Sequence, residues 1–88
     1  MKLKPVFTFH TDPGHGWLEV SVSGLESVGF TTSDFSSYSY RSGSRVYLEE
    51  DCDAPKFIHR LTALGIDFGT IERNSSSDSF VRRCPSIY

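Results

Sequence analysis

Two stretches of the chain carry side chains able to do chemistry: Thr11–Trp17 (TDPGHGW) and Glu49–Asp53 (EEDCD). In the first, Asp12, His15 and the flanking His10 are metal-ligating types. A histidine on an exposed turn is also a natural general base, because its charge changes near neutral pH. The same string suits a turn built for geometry. Pro13 presets φ, the glycines supply freedom, and Asp12 can accept backbone N–H groups. Neither His-x-Glu with Cys-x-x-Cys nor His-Glu-x-x-His occurs, so no recognised zinc spacing is met. The glycines do not form a phosphate loop, since a strand rather than a helix follows them.

The second stretch packs four carboxylates into five positions, with Cys52 among them. Glu50, Asp51 and Asp53 are hard-metal ligand types, but the glycine and alternate spacing of a calcium loop are missing. Carboxylates are favoured at a helix N-terminus without any catalytic reason. The helix start could lower the Cys52 pKa, whereas the surrounding carboxylates oppose a thiolate. A third group is aromatic. Tyr38, Tyr40 and Tyr47 fall across one hairpin, with Arg41 and Arg45 alongside. That group is either cross-strand packing or a binding face, since Tyr, Trp and Arg dominate interaction hot spots.

The elements that position these groups follow from periodicity. Val6–His10 and Trp17–Val22 alternate as strands around the DPGHG turn. Ser23 to Glu26 fits a capping box for a short helix that buries Leu25 and Val28 and ends near Gly29. Phe35 anchors the polar segment Thr31–Ser37. Ser37–Arg41 and Arg45–Glu49 form a second hairpin. A helix over Ala54–Leu64 follows, with Asp53 as N-cap, Pro55 in the first turn and Gly65 at C′. Its apolar residues Phe57, Ile58, Leu61 and Leu64 are expected to pack on Val46, Leu48, Leu18 and Val20. Ile66–Arg73 reads as a fifth strand with Gly69 a candidate bulge. Phe80–Arg83 reads as a short edge strand, and residues 84–88 as a tail anchored by Ile87 and Tyr88.

The expected fold is α+β. Its order is ββαββαβ, a mostly antiparallel sheet of about five strands with two helices on one face. If strands one and four are parallel neighbours, both chemical stretches lie at one sheet edge. His15 would then meet Glu50 or Asp51 as an ion pair or part of a metal site.

Eighty-eight residues make one domain, 1–88. A chain of this length buries roughly 60–65% of its unfolded surface, enough for one modest core. Aromatic residues are 14% and net charge is −2, which argues against a basic nucleic-acid-binding stripe. Arg73, Arg82 and Arg83 would have to carry nucleic-acid binding, and it is disfavoured. Two cysteines make no disulfide framework. No apolar run has signal-peptide or membrane-span length. The expectation is a cytoplasmic protein with reduced thiols and no cofactor.

The strings TDPGHGWLEV, SYSY and VYLEEDCDAPKFI, spread over about Phe7–Leu64, resemble a group of small uncharacterised proteins found in phages and proteobacterial mobile elements. The resemblance implies a phage accessory protein, and such proteins often act by binding a host protein. The resulting expectation is a non-catalytic inhibitor of a host defence protein or complex, of the anti-CRISPR kind. Tyr38, Tyr40, Arg41 and Tyr47 would contact the partner, with Glu49, Glu50 and Asp51 as the polar edge. The alternative is a small metal-dependent enzyme or ligand-binding domain using His15 and the acidic corner Glu50–Asp53.

Overall fold

The computed structural model describes residues 4–88. Strands β1 (Val6–Thr11), β2 (Gly16–Ser21), β3 (Tyr40–Ser42), β4 (Arg45–Glu49) and β5 (Gly69–Asn74) form one sheet in the order β3-β4-β2-β1-β5. Three of its four pairings are antiparallel, and β5 joins β1 in parallel. Helices α1 (Val22–Ser27) and α2 (Asp53–Ala63) complete an α+β fold.

Alternation along the strands separates two faces. Leu18 and Val20 pair with Leu48 and Val46 and form the main core with Leu25, Phe57 and Leu61 from the helices. Phe7 joins them edge-on to Phe57, at 5.4 Å between ring centroids. Trp17, Tyr47 and Val81 form a smaller cluster apart from that core. Val81 belongs to a 3-10 turn, Phe80–Arg83, where an edge strand was expected. The turn is nucleated by Ser79, whose Oγ accepts the Val81 N–H. It buries Val81 completely, so the second face of the sheet is also covered.

Both helices end as their glycines require. After α2, Gly65 takes φ +70°. Its N–H donates to the Thr62 carbonyl and the Ile66 N–H to that of Leu61, which is the Schellman arrangement. Gly29 closes α1 with the same pair of bonds, onto Glu26 and Leu25. Arg60 then lays its guanidinium 4.1 Å from the Phe30 ring centroid and donates to the Val28 carbonyl at 2.7 Å. One helix thereby closes the other's C-terminus.

Several expected details are corrected. The cap of α1 is Ser21, not Ser23: β2 passes directly into the helix, and Ser21 Oγ accepts the Gly24 N–H at 3.0 Å. The residue preceding α2 is Cys52, and Asp53 lies inside the helix. Leu64 is 55% exposed because it is the C-cap residue, beyond the last turn that faces the sheet. Gly69 is no bulge, since it keeps register opposite Val6. β3 begins at Tyr40, after a turn that spends residues 37–39. The tail packs as a further edge: Arg41 donates to the Pro85 carbonyl and Ile87 to that of Ser39. Ile87 is buried, whereas Tyr88 is exposed.

Candidate functional site

The two chemical stretches meet. β1 and β4 are not neighbours; β2 lies between them. Both run antiparallel to β2, so they are parallel to each other, and the β1–β2 turn sits at the same sheet end as the β4–α2 corner. Glu50 N–H donates to the Gly16 carbonyl at 3.1 Å across that end. A Cβ on Gly16 would lie 2.8 Å from the Phe9 ring and 3.0 Å from a Glu50 carboxylate oxygen, so this position needs glycine.

Asp12 holds the first stretch together. One carboxylate oxygen accepts the N–H groups of Gly14 (3.0 Å) and His15 (2.9 Å), and the other that of Ser79 (3.0 Å). Arg82 donates to both oxygens, Nε at 2.6 Å and Nη2 at 2.9 Å. The fork geometry is the strong form of a carboxylate–guanidinium pair. Arg82, followed by these backbone donors, holds the Asp12 carboxyl far below the usual carboxylate range. With these donors on it, Asp12 acts as architecture, and the pair ties the 3-10 turn to the β1–β2 loop. His10 is likewise spent: it is buried, with Nε2 2.9 Å from Glu19 Oε1 and its ring edge-on to Phe80.

At the acidic corner the four carboxylates divide. Glu49 is only 9% exposed, and its two oxygens accept the N–H groups of Asp51 (3.0 Å) and Cys52 (2.8 Å). It does the capping expected of Asp53, because β4 ends with its side chain beneath the next two residues. Asp53 is buried and turned to the Ser36–Ser39 loop, accepting from Ser36 N–H (3.0 Å), Ser36 Oγ (2.7 Å) and Ser39 Oγ. Glu50 lies against Gly16. Asp51 is exposed, and its carboxylate enters no hydrogen bond or ion pair among the described residues.

Between these walls lies a pocket of about 360 Å³ lined by His15, Trp17, Ser37, Tyr38, Tyr40, Glu49, Asp51, Cys52 and Arg82. Trp17 and Tyr40 meet edge-on at 6.2 Å, and Arg82 lies 5.2 Å over the Trp17 ring. Tyr38 stands 67% exposed at the rim. The Cys52 thiol is pushed up, first by desolvation and then by Glu49, Asp53 and Asp51, so the thiol rather than the thiolate faces the pocket.

The expected site residues are therefore split. Tyr38, Tyr40, Asp51 and His15 share the pocket. Tyr47 is only 6% exposed, packed edge-on to Phe80 at 5.6 Å, and cannot serve as a surface contact. Glu49 is a wall, not a polar edge. Arg41 is exposed but directs Nε to the Gly43 carbonyl at 3.0 Å, outside the pocket. His15 forms no ion pair with Glu50 or Asp51, and its ring faces Trp17 at 6.1 Å instead. Among the described residues no three His, Cys, Asp or Glu side chains come together as a metal site. Trp17 and Arg82 were not expected at the binding site, and Cys52 only as part of the acidic corner Glu50–Asp53. The strand alternation carried a signal for Trp17, because it places that ring opposite Leu18 on the face of Tyr47. No local signal marks Arg82.

No helix among the described residues is long and apolar enough to cross a membrane. Compared with known proteins, the chain matches no family model, no curated protein and no solved structure at a significant level.

Proposed function

We propose that this chain is a non-catalytic interaction protein, a small phage-encoded inhibitor of a host defence protein of the anti-CRISPR kind. The observation that carries the interaction reading is the exposed Tyr38 at the rim of an aromatic and acidic pocket. A solvent-facing tyrosine beside a concave site is the kind of group that anchors protein interfaces. The chemistry-bearing residues support the same reading, since Asp12, His10, Glu49 and Asp53 are engaged in holding the fold. The phage and anti-defence parts rest on the resemblance of TDPGHGWLEV, SYSY and VYLEEDCDAPKFI alone.

Affinity capture from host lysates, read by mass spectrometry, tests this. A retained defence protein that is lost with Tyr38→Ala at unchanged melting temperature is the expected result. No host protein retained across several candidate hosts counts against it.

A second reading is a ligand-binding domain or metal-dependent enzyme using His15 with the acidic corner Glu50–Asp53. Of that corner's carboxylates Asp51 alone shares the pocket with His15, while Glu50 lies against Gly16 and Asp53 is turned to Ser36 and Ser39. An NMR titration following the His15 ring with Zn²⁺ and Mn²⁺ tests it. Saturable, ion-specific shifts support it, and an unmoved ring removes the metal part.

A further inference from the structure

We propose that the pocket is a receptor for an arginine side chain of the protein partner. This deepens the interaction reading and rests on it. At about 360 Å³ the pocket lies near the low end of ligand sites, roughly 300–1,000 Å³. It suits one long side chain rather than a cofactor.

Its charge selects the occupant. Arg82, the one guanidinium in the wall, is already neutralised by the two bonds to Asp12. Glu49 and Asp51 have no basic partner among the described residues. Glu49 keeps its charge but spends both oxygens on the Asp51 and Cys52 N–H groups, so Asp51 is the carboxylate left free to pair. Beside desolvation, the same carboxylates raise the Cys52 thiol pKa, so the lining carries a negative field. An anion would meet that field unfavourably. A cation would not.

The walls then select among cations. Tyr38 and Tyr40 offer aromatic surface, Trp17 being buried beneath Arg82, and a guanidinium both stacks on aromatic rings and forks onto a carboxylate. An ammonium is a more strongly hydrated point charge. The fold itself seats Arg82 over Trp17 and Arg60 over Phe30 in this way. Tyr38 and Asp51 are exposed, so they are available to close over an incoming side chain.

The test is an NMR titration of the intact chain with acetyl-Gly-Arg-Gly-amide, following the indole N–H of Trp17, the sole tryptophan. Matched peptides carry lysine, glutamate or citrulline, the last having the shape of arginine without its charge. Saturable shifts are expected with arginine, weaker ones with lysine and none with citrulline or glutamate. Asp51→Asn should weaken the arginine peptide roughly tenfold, a change of about 1.4 kcal/mol. Its melting temperature should not change, because Asp51 serves the fold through its backbone N–H. Equal shifts from citrulline, no saturation up to ~20 mM arginine peptide, where even a millimolar site would fill, or an unaffected Asp51→Asn variant would overturn the proposal. Partner capture that survives Asp51→Asn and Tyr38→Ala would likewise remove the pocket while leaving the interaction reading intact. Arginine-selective binding without any captured host protein would do the reverse.

Discussion

Replacing Ser39 by alanine probes the joint on which the acidic corner is built. Ser39 is fully buried (0% exposed). Its hydroxyl accepts the Glu49 N–H at 3.0 Å and donates to Asp53. Alanine leaves that N–H buried without an acceptor, a cost of about 1–3 kcal/mol. It also removes a bond to a charged group, worth about 1.5–3 kcal/mol. Asp53 keeps Ser36 N–H and Oγ, so the second contribution belongs at its lower end. The expected loss is about 3 kcal/mol, from a total of ~4–13 kcal/mol for a chain of this length. At ~4–8 °C per kcal/mol the melting temperature should fall by roughly 12–24 °C. Urea unfolding followed by Trp17 fluorescence and by far-UV circular dichroism measures the loss, with the two probes coincident if the sheet's faces unfold together. A double-mutant cycle with Asp53→Asn should be non-additive by about 0.5–3 kcal/mol, because both changes strike one bond. A loss under about 0.5 kcal/mol, or additivity within that figure, would refute the shared-hydroxyl reasoning.

Three further outcomes are expected. Asp12 has a folded-state pKa held below its unfolded value of about 3.9; its contribution is therefore fully present above that pH and is lost as pH falls below it. The urea midpoint should drop on acidification below about pH 4, and Asp12→Asn should be less stable at pH 7 with a shallower acid slope; an unchanged slope would contradict the pairing. Cys52, its thiol pKa raised by desolvation and by Glu49, Asp53 and Asp51, should react with iodoacetamide at pH 8 more slowly than free cysteine, and faster in Asp51→Asn; a rate at or above that of free cysteine would show the field is misread. Leu61→Ala should cost about 2–5 kcal/mol, while Leu64→Ala should stay within about 0.5 kcal/mol, because Leu61 is buried and Leu64 is not; equal losses in denaturant titrations would mean the helix face is misassigned.

The sequence by itself determined the elements whose causes are local. Period-two alternation marked β1, β2 and β4, and it put Leu18, Val20, Val46 and Leu48 on one face because successive side chains must point oppositely. Gly65 marked the end of α2, since only glycine enters the left-handed region there without cost. Those signals sufficed for the α+β class; that the two chemical stretches share one sheet end was decided by the strand order, with β2 between β1 and β4.

Only the tertiary structure decided how the polar side chains are employed. Asp12 pairs with Arg82, 70 positions away, and Asp53 with Ser36 and Ser39, 17 and 14 positions away. A carboxylate in a turn looks the same in sequence whether it ligates a metal, caps a helix or neutralises a distant guanidinium. What separates these roles is the donor brought against it when the chain closes. The burial of Tyr47 has the same origin: alternation put it on the second face, but the 3-10 turn Phe80–Arg83 covers that face. That cover packs where it does because Asp12 draws Arg82 and the Ser79 N–H across the end of the sheet. The pocket beside it is formed by that long-range bond, and no local stretch of the chain encodes it.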